Sequence, residues 1–117
     1  MDENFIIEKI GWITQRKSIP PLTKEYIERQ YRFFENYIHF LQDNGFTTRI
    51  ILNSDEKAND DSELWIKDLT EEGFKFYKYG IIKWREKYDK AKNKDKAIND
   101  FAFIEKKLKE FREKQNG

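Results

Sequence analysis

Two helix starts in this chain are spelled almost alike, Leu22-Thr23-Lys24-Glu25-Tyr26-Ile27 and Leu69-Thr70-Glu71-Glu72-Gly73-Phe74. In each, Thr is placed to act as N-cap, its hydroxyl accepting a hydrogen bond from a backbone N–H of the first turn. An apolar residue precedes each cap (Leu22, Leu69) and another occupies the fourth helical position (Ile27, Phe74), which is the spacing of a hydrophobic staple. Acidic side chains in the first turn meet the positive end of the helix dipole. The two helices also match in register, Ile27 with Phe74, Phe34 with Ile81, Tyr37 with Trp84 and Leu41 with Tyr88. Any two capped amphipathic helices match in this way, so no internal duplication is inferred.

Apolar spacing extends the reading to a mainly α fold of about four helices packed as a compact bundle. Ile6, Ile10 and Ile13 predict a short amphipathic helix over 3–16, weakened at Gly11, and Ser18-Ile19-Pro20-Pro21 breaks the chain after it. Helix two is expected over 23–44, with Ile27, Phe34, Ile38 and Leu41 as its stripe, widened by Tyr31, Phe33 and Tyr37, and Asn44-Gly45 as its stop. Helix three is expected over 70–93, with a buried seam of Tyr77, Ile81, Trp84 and Tyr88. Gly73 and Gly80 share a side there and admit a close neighbour. Helix four is expected over 95–114, with Asp95 as N-cap and Ala97, Phe101, Ile104, Leu108 and Phe111 as its stripe.

Residues 46–52 are β-branched and predict a strand, 53–62 a polar loop, and 63–67 a strand pairing back, a short β-hairpin between helices two and three. The competing reading of 46–67 is irregular chain or an extra helical turn.

With 117 residues the chain is expected to be a single helical domain spanning 1–117. Ten Phe, six Tyr and three Trp supply much of its core. The net charge of +1 argues against a general attraction to nucleic acid or membranes. Cysteine is absent, which excludes thiolate catalysis, Cys-ligated zinc and disulfides and suits a reducing compartment. Residues 1–4 have an acidic composition unlike the basic start of a signal peptide, and no run approaches the roughly 18 apolar residues of a membrane span. A cytoplasmic location is expected.

Chemistry is sparse. The single histidine, His39, has Glu35 and Asp43 four residues to either side, a set that makes no metal site by itself. The acidic run from Asp55 to Glu63 lacks the central Gly and the ligand spacing of a calcium loop. There is no nucleophile elbow, no phosphate-binding glycine loop, and no feature that selects two carboxylates as an acid–base pair. A non-enzymatic protein without metal or cofactor is expected.

Charge is unevenly spread. Across 53–72, eight acids face two lysines, a balance of −6, whereas from Lys83 onward twelve Lys/Arg face seven acids, a balance of +5. The basic residues alternate with acids as on a solvated helix, so nucleic acid is not the expected partner. The acidic loop is the expected partner-binding site, formed by Asp55, Glu56, Asp60, Asp61, Glu63 and Trp65, with Trp65 as anchor.

Asp68-Leu69-Thr70-x-x-Gly73, continuing to Lys83-Trp84 and Asp89, resembles a group of small stand-alone bacterial helical proteins, some of which act as immunity proteins in toxin–immunity pairs. The resemblance covers about 25 residues, mostly capping and core, and transfers no functional residue. It implies a cytoplasmic inhibitor that binds and neutralises one cognate toxin domain, and an acidic loop suits a basic, nuclease-like target. The alternative function is a small helical nucleic-acid-associated or phage-derived regulatory protein.

Overall fold

Thr23 starts the longest helix. In the computed structural model, which describes the backbone of residues 5–116 and the side chains of 5–114, its hydroxyl accepts from the Tyr26 N–H at 3.1 Å. The helix α2, Lys24–Asp43, ends at Asn44, and Gly45 takes a φ of +76° where the chain turns away. That left-handed conformation is open to Gly without a Cβ clash. Both ends of the expected 23–44 helix are therefore as the residues predict.

The described chain is mainly helical and forms two compact units, the first ending at Thr70 and the second beginning at Glu71. The first unit departs from expectation at its start. Residues 6–9 form a strand, β1 (Ile6–Lys9), followed by one short helix, α1 (Gly11–Thr14), in place of a continuous helix over 3–16. Residues 3 and 4, where that expectation began, lie outside the described residues, as does the rest of the acidic segment 1–4. The partner of β1 is β2 (Glu63–Trp65), antiparallel, with Ile6 opposite Trp65 and Lys9 opposite Glu63 and an irregularity between Ile6 and Glu8. The expected hairpin of 46–52 with 63–67 is thus not formed. Glu63–Trp65 is a strand, but its mate lies early in the chain, and a pairing between such distant segments leaves no local pattern. Residues 46–48 instead run beside 68–70 through a single bridge, with Thr48 N–H on the Asp68 carbonyl at 2.8 Å and Thr70 N–H on the Phe46 carbonyl at 2.9 Å.

The core of the first unit is the α2 stripe with its cover. Phe33, Phe34, Tyr37, Ile38 and Leu41 are buried together with Ile10, Phe46, Leu52 and Leu64. Phe34 and Tyr37 meet edge to face, 5.2 Å between ring centres. The Tyr37 hydroxyl donates to the buried Glu8 carboxylate, so the polar end of this core ring is satisfied.

In the second unit the expected helix three is interrupted. α3 (Glu71–Phe76) passes into a π-helical turn over Tyr77–Ile81 before α4 (Ile82–Lys90). Helix four is broken as well. Asn93, not Asp95, caps a short α5 (Lys94–Ala97) by accepting from the Lys96 N–H at 3.1 Å. After a turn, α6 (Ala102–Asn116) begins where Asp100 accepts from the Ala102 N–H at 3.1 Å. The core here is Phe76, Ile81, Trp84, Tyr88, Ile98, Ile104 and Phe111, so Ile98 takes the depth expected of Ala97. Phe76 and Phe111 meet edge to face at 5.3 Å.

Gly80 lies in the π turn, where α6 comes close. A Cβ there would stand 2.9 Å from the buried Phe76 ring and 3.2 Å from Ile104 Cδ1. Ala is normally the better helix former by about 1 kcal/mol, but overpacking of a dense core costs about 1–3 kcal/mol. Gly80→Ala is therefore expected to lower the urea midpoint, and a raised midpoint would contradict the packing described here.

Candidate functional site

The acidic loop is not a free solvated arm. Three α2 side chains, Tyr31, Glu35 and Gln42, reach out to it from positions four and seven apart, one side of the helix. Gln42 accepts from the Ile51 and Leu52 N–H groups at 2.6 and 2.9 Å and donates to the Leu52 carbonyl at 2.9 Å. Glu35 accepts from the Ala58 N–H at 3.0 Å. The Tyr31 hydroxyl donates to Asp60 at 2.6 Å. The chain from 51 to 60 is thereby laid along α2 and held at three points.

This arrangement divides the six expected binding residues. Asp60 turns inward and is half-buried. Its carboxylate accepts from Thr14 Oγ1 at 2.5 Å, from Tyr31 and from Gln15 Nε2 at 3.4 Å, and its backbone carbonyl accepts from the Gly11 N–H at 2.9 Å. The Thr14 and Tyr31 hydrogen bonds favour the ionised form and hold the Asp60 carboxyl below its ordinary range. The same Asp60 bond pushes the Tyr31 hydroxyl up from its ordinary value. Gly11 now has a reason beyond helix weakness, since a Cβ on it would lie 2.8 Å from the Asp60 carbonyl oxygen.

Four of the other five line one groove of about 500 Å³ beside β2, namely Glu56, Asp61, Glu63 and Trp65. Phe34 and Leu52 line its apolar part, and Arg49 and Lys67 supply its cations. Asp55 is exposed on the same loop without lining the groove. Glu56 is exposed and braces Asn53, accepting from its backbone N–H and its side-chain amide, each at 3.2 Å. Glu63 accepts from the Trp65 indole N–H at 2.8 Å and faces Lys9 at 3.9 Å. The half-buried Trp65 ring carries the Lys67 ammonium 4.8 Å from its centre.

Beneath this edge lies a residue that sequence reasoning passed over. Asp68 is 1% exposed, accepts from the Trp65 N–H at 3.0 Å and pairs with Arg49 Nε at 2.8 Å. It sets the backbone turn that presents Trp65 to the groove. Its signal in the sequence was weak, since one Asp before a Leu-Thr cap looks like part of the cap.

Among the described residues no group of three or more His, Asp or Glu side chains is placed to hold a metal ion, and no helix is long and apolar enough to cross a membrane. His39 is half-buried on α2. The groove combines three carboxylates with two cations and the rings of Trp65 and Phe34. Searches of protein-family models, of curated proteins and of solved structures gave no match to this chain.

Proposed function

We propose that this chain is a non-enzymatic protein-binding module, an immunity-type inhibitor that binds and neutralises a cognate bacterial toxin in the cytoplasm. Its partner surface is the groove beside β2. A single observation carries the reading: Glu56, Asp61 and Glu63 converge around Trp65 in one groove on a loop that α2 already holds in place. Ordering beforehand lowers the entropic cost of binding, and a half-buried Trp hydrogen-bonded to Glu63, in a groove where three acids outnumber two cations, suits a Lys- or Arg-bearing segment. The acidic rim also steers a basic partner toward the site. The unit that presents it is built on the long helix α2 and the small β1–β2 sheet.

Glu56→Lys with Asp61→Lys is the direct test, because both side chains are exposed. Affinity for the basic protein captured by the wild-type chain from its native host is expected to fall at least about tenfold, with only a small fall in melting temperature from the lost Glu56–Asn53 contacts. Unchanged affinity removes the groove from the proposal. Salt-dependent binding to generic DNA or RNA, unaffected by the two substitutions, would favour a nucleic-acid-associated regulator instead.

A further inference from the structure

The second unit holds a cleft of its own, about 560 Å³, in the size range of small-molecule pockets. Its walls are the rings of Trp84, Tyr88 and Phe103, and the small side chains of Ala91 and Ala97 leave the space between them. The corner that closes it is rigidly made. Lys94, at the start of α5, donates to the Tyr88, Asp89 and Ala91 carbonyls at 3.0, 2.7 and 3.1 Å, and so satisfies the C-terminal end of α4.

The rim carries a positive excess, three lysines to two acids. Lys83, Lys87 and Lys90 recur four and three residues apart, hence on one side of α4, and all three border the opening. Lys87 stands 4.8 Å above the Phe103 ring, and Lys107 approaches the same ring at 5.5 Å. Among the described residues neither Lys83 nor Lys87 is in an ion pair; both ammonium groups lie against rings. Two acids also border the cleft, Glu86 and Asp100. Asp100 is already engaged with the first turn of α6 through the Ala102 N–H. From Glu71 onward, fourteen Lys/Arg face nine Asp/Glu.

From the apolar walls and lysine rim we infer that this cleft binds a flat aromatic molecule carrying an anionic group, a carboxylate or a phosphate. The rings and alanines take the apolar body, and the Lys83, Lys87 and Lys90 ammonium groups meet the anion where it leaves the cleft. A cationic ligand of the same shape would face those lysines unfavourably. The site uses residues of the second unit only and is independent of the groove beside β2.

Titration of the intact protein with naphthoate, followed by backbone amide chemical shifts, tests it. Shifts are expected in 83–103 and not in 56–65. Lys83→Glu with Lys87→Glu is expected to weaken naphthoate about tenfold or more, since two favourable charges become two repulsive ones. Ala97→Trp, which fills the cleft, is expected to abolish binding, and Lys57→Glu in the first unit to leave it unchanged. The two lysines are exposed, so their variant carries the test if Ala97→Trp does not fold. Tighter binding of naphthyl phosphate than of naphthoate assigns a phosphate-bearing ligand, and the reverse a carboxylate-bearing one. The inference is overturned if naphthylmethylammonium binds as well as naphthoate, if the lysine variant keeps full affinity, or if the shifts fall elsewhere or are absent.

Discussion

Phe34→Ala is expected to destabilise the first unit by about 3–5 kcal/mol, the range for truncating a fully buried aromatic. Phe34 is completely buried, meets Tyr37 edge to face, and lies on the side of α2 that packs under the loop. Its loss removes the transfer free energy of the ring and leaves a cavity among side chains already held by helix and strand. Against a total stability of roughly 5–15 kcal/mol for a domain, that is a large fraction. Urea denaturation read by far-ultraviolet circular dichroism measures it. Phe34→Leu keeps most of the volume and is expected to cost about 1 kcal/mol. A Phe34→Ala midpoint equal to that of Phe34→Leu would show that the ring is not packed as described.

Asp60→Lys is expected to cost about 3 kcal/mol, whereas Asp61→Lys one residue later stays within about 0.5 kcal/mol. The contrast follows from direction, not from composition. Asp61 is exposed, while Asp60 is the shared acceptor of Thr14, Tyr31 and Gln15. A lysine there removes the acceptor and adds a charge among donors. Asp60→Asn keeps one acceptor oxygen and is expected to fall between the two. The pH dependence has a definite sign. The folded Asp60 carboxyl sits below its ordinary value, so the folded state holds the ionised form more strongly than the unfolded chain does. Its contribution is complete above about pH 5, shrinks as pH falls through the ordinary carboxylate range near 4, and is gone below the lowered folded value. The stability difference between wild type and Asp60→Asn is therefore expected to be constant from pH 7 to about 5 and to narrow below about 4. A difference that widens on acidification would reverse the assigned hydrogen-bond direction.

Much of the helical layout was legible because it is written locally. Thr23, Leu22, Ile27 and the Asn44-Gly45 stop lie within a few residues of what they control, and α2 follows them at both ends. β1 was not legible. Ile6, Ile10 and Ile13 suit a helical spacing, and the decision for a strand came from Glu63–Trp65, far along the chain. The π turn escaped for a related reason, since one extra residue in a helical turn shifts phase without changing composition. Asp95 looked like a cap, yet Asn93 reached the free N–H groups first.

The candidate site was legible as a region and not as a set of directions. An acidic loop with a Trp beside it shows in the bare sequence, and four of its six named residues do share a groove. That Asp60 faces inward depends on Thr14 and Tyr31, which no pattern around 55–63 contains. That the loop is held depends on Tyr31, Glu35 and Gln42, which look like ordinary polar positions on α2.

The β1–β2 ladder has a consequence for how the protein is made. The ribosome synthesises Ile6 long before Trp65, its mate across the sheet. At roughly 5–20 residues per second, the first strand waits several seconds with its hydrogen-bonding edge unmatched. Over that interval Ile6 and Ile10 are sticky surface on a nascent chain, so slowed elongation between the two strands would lengthen the period in which newly made molecules are open to clumping.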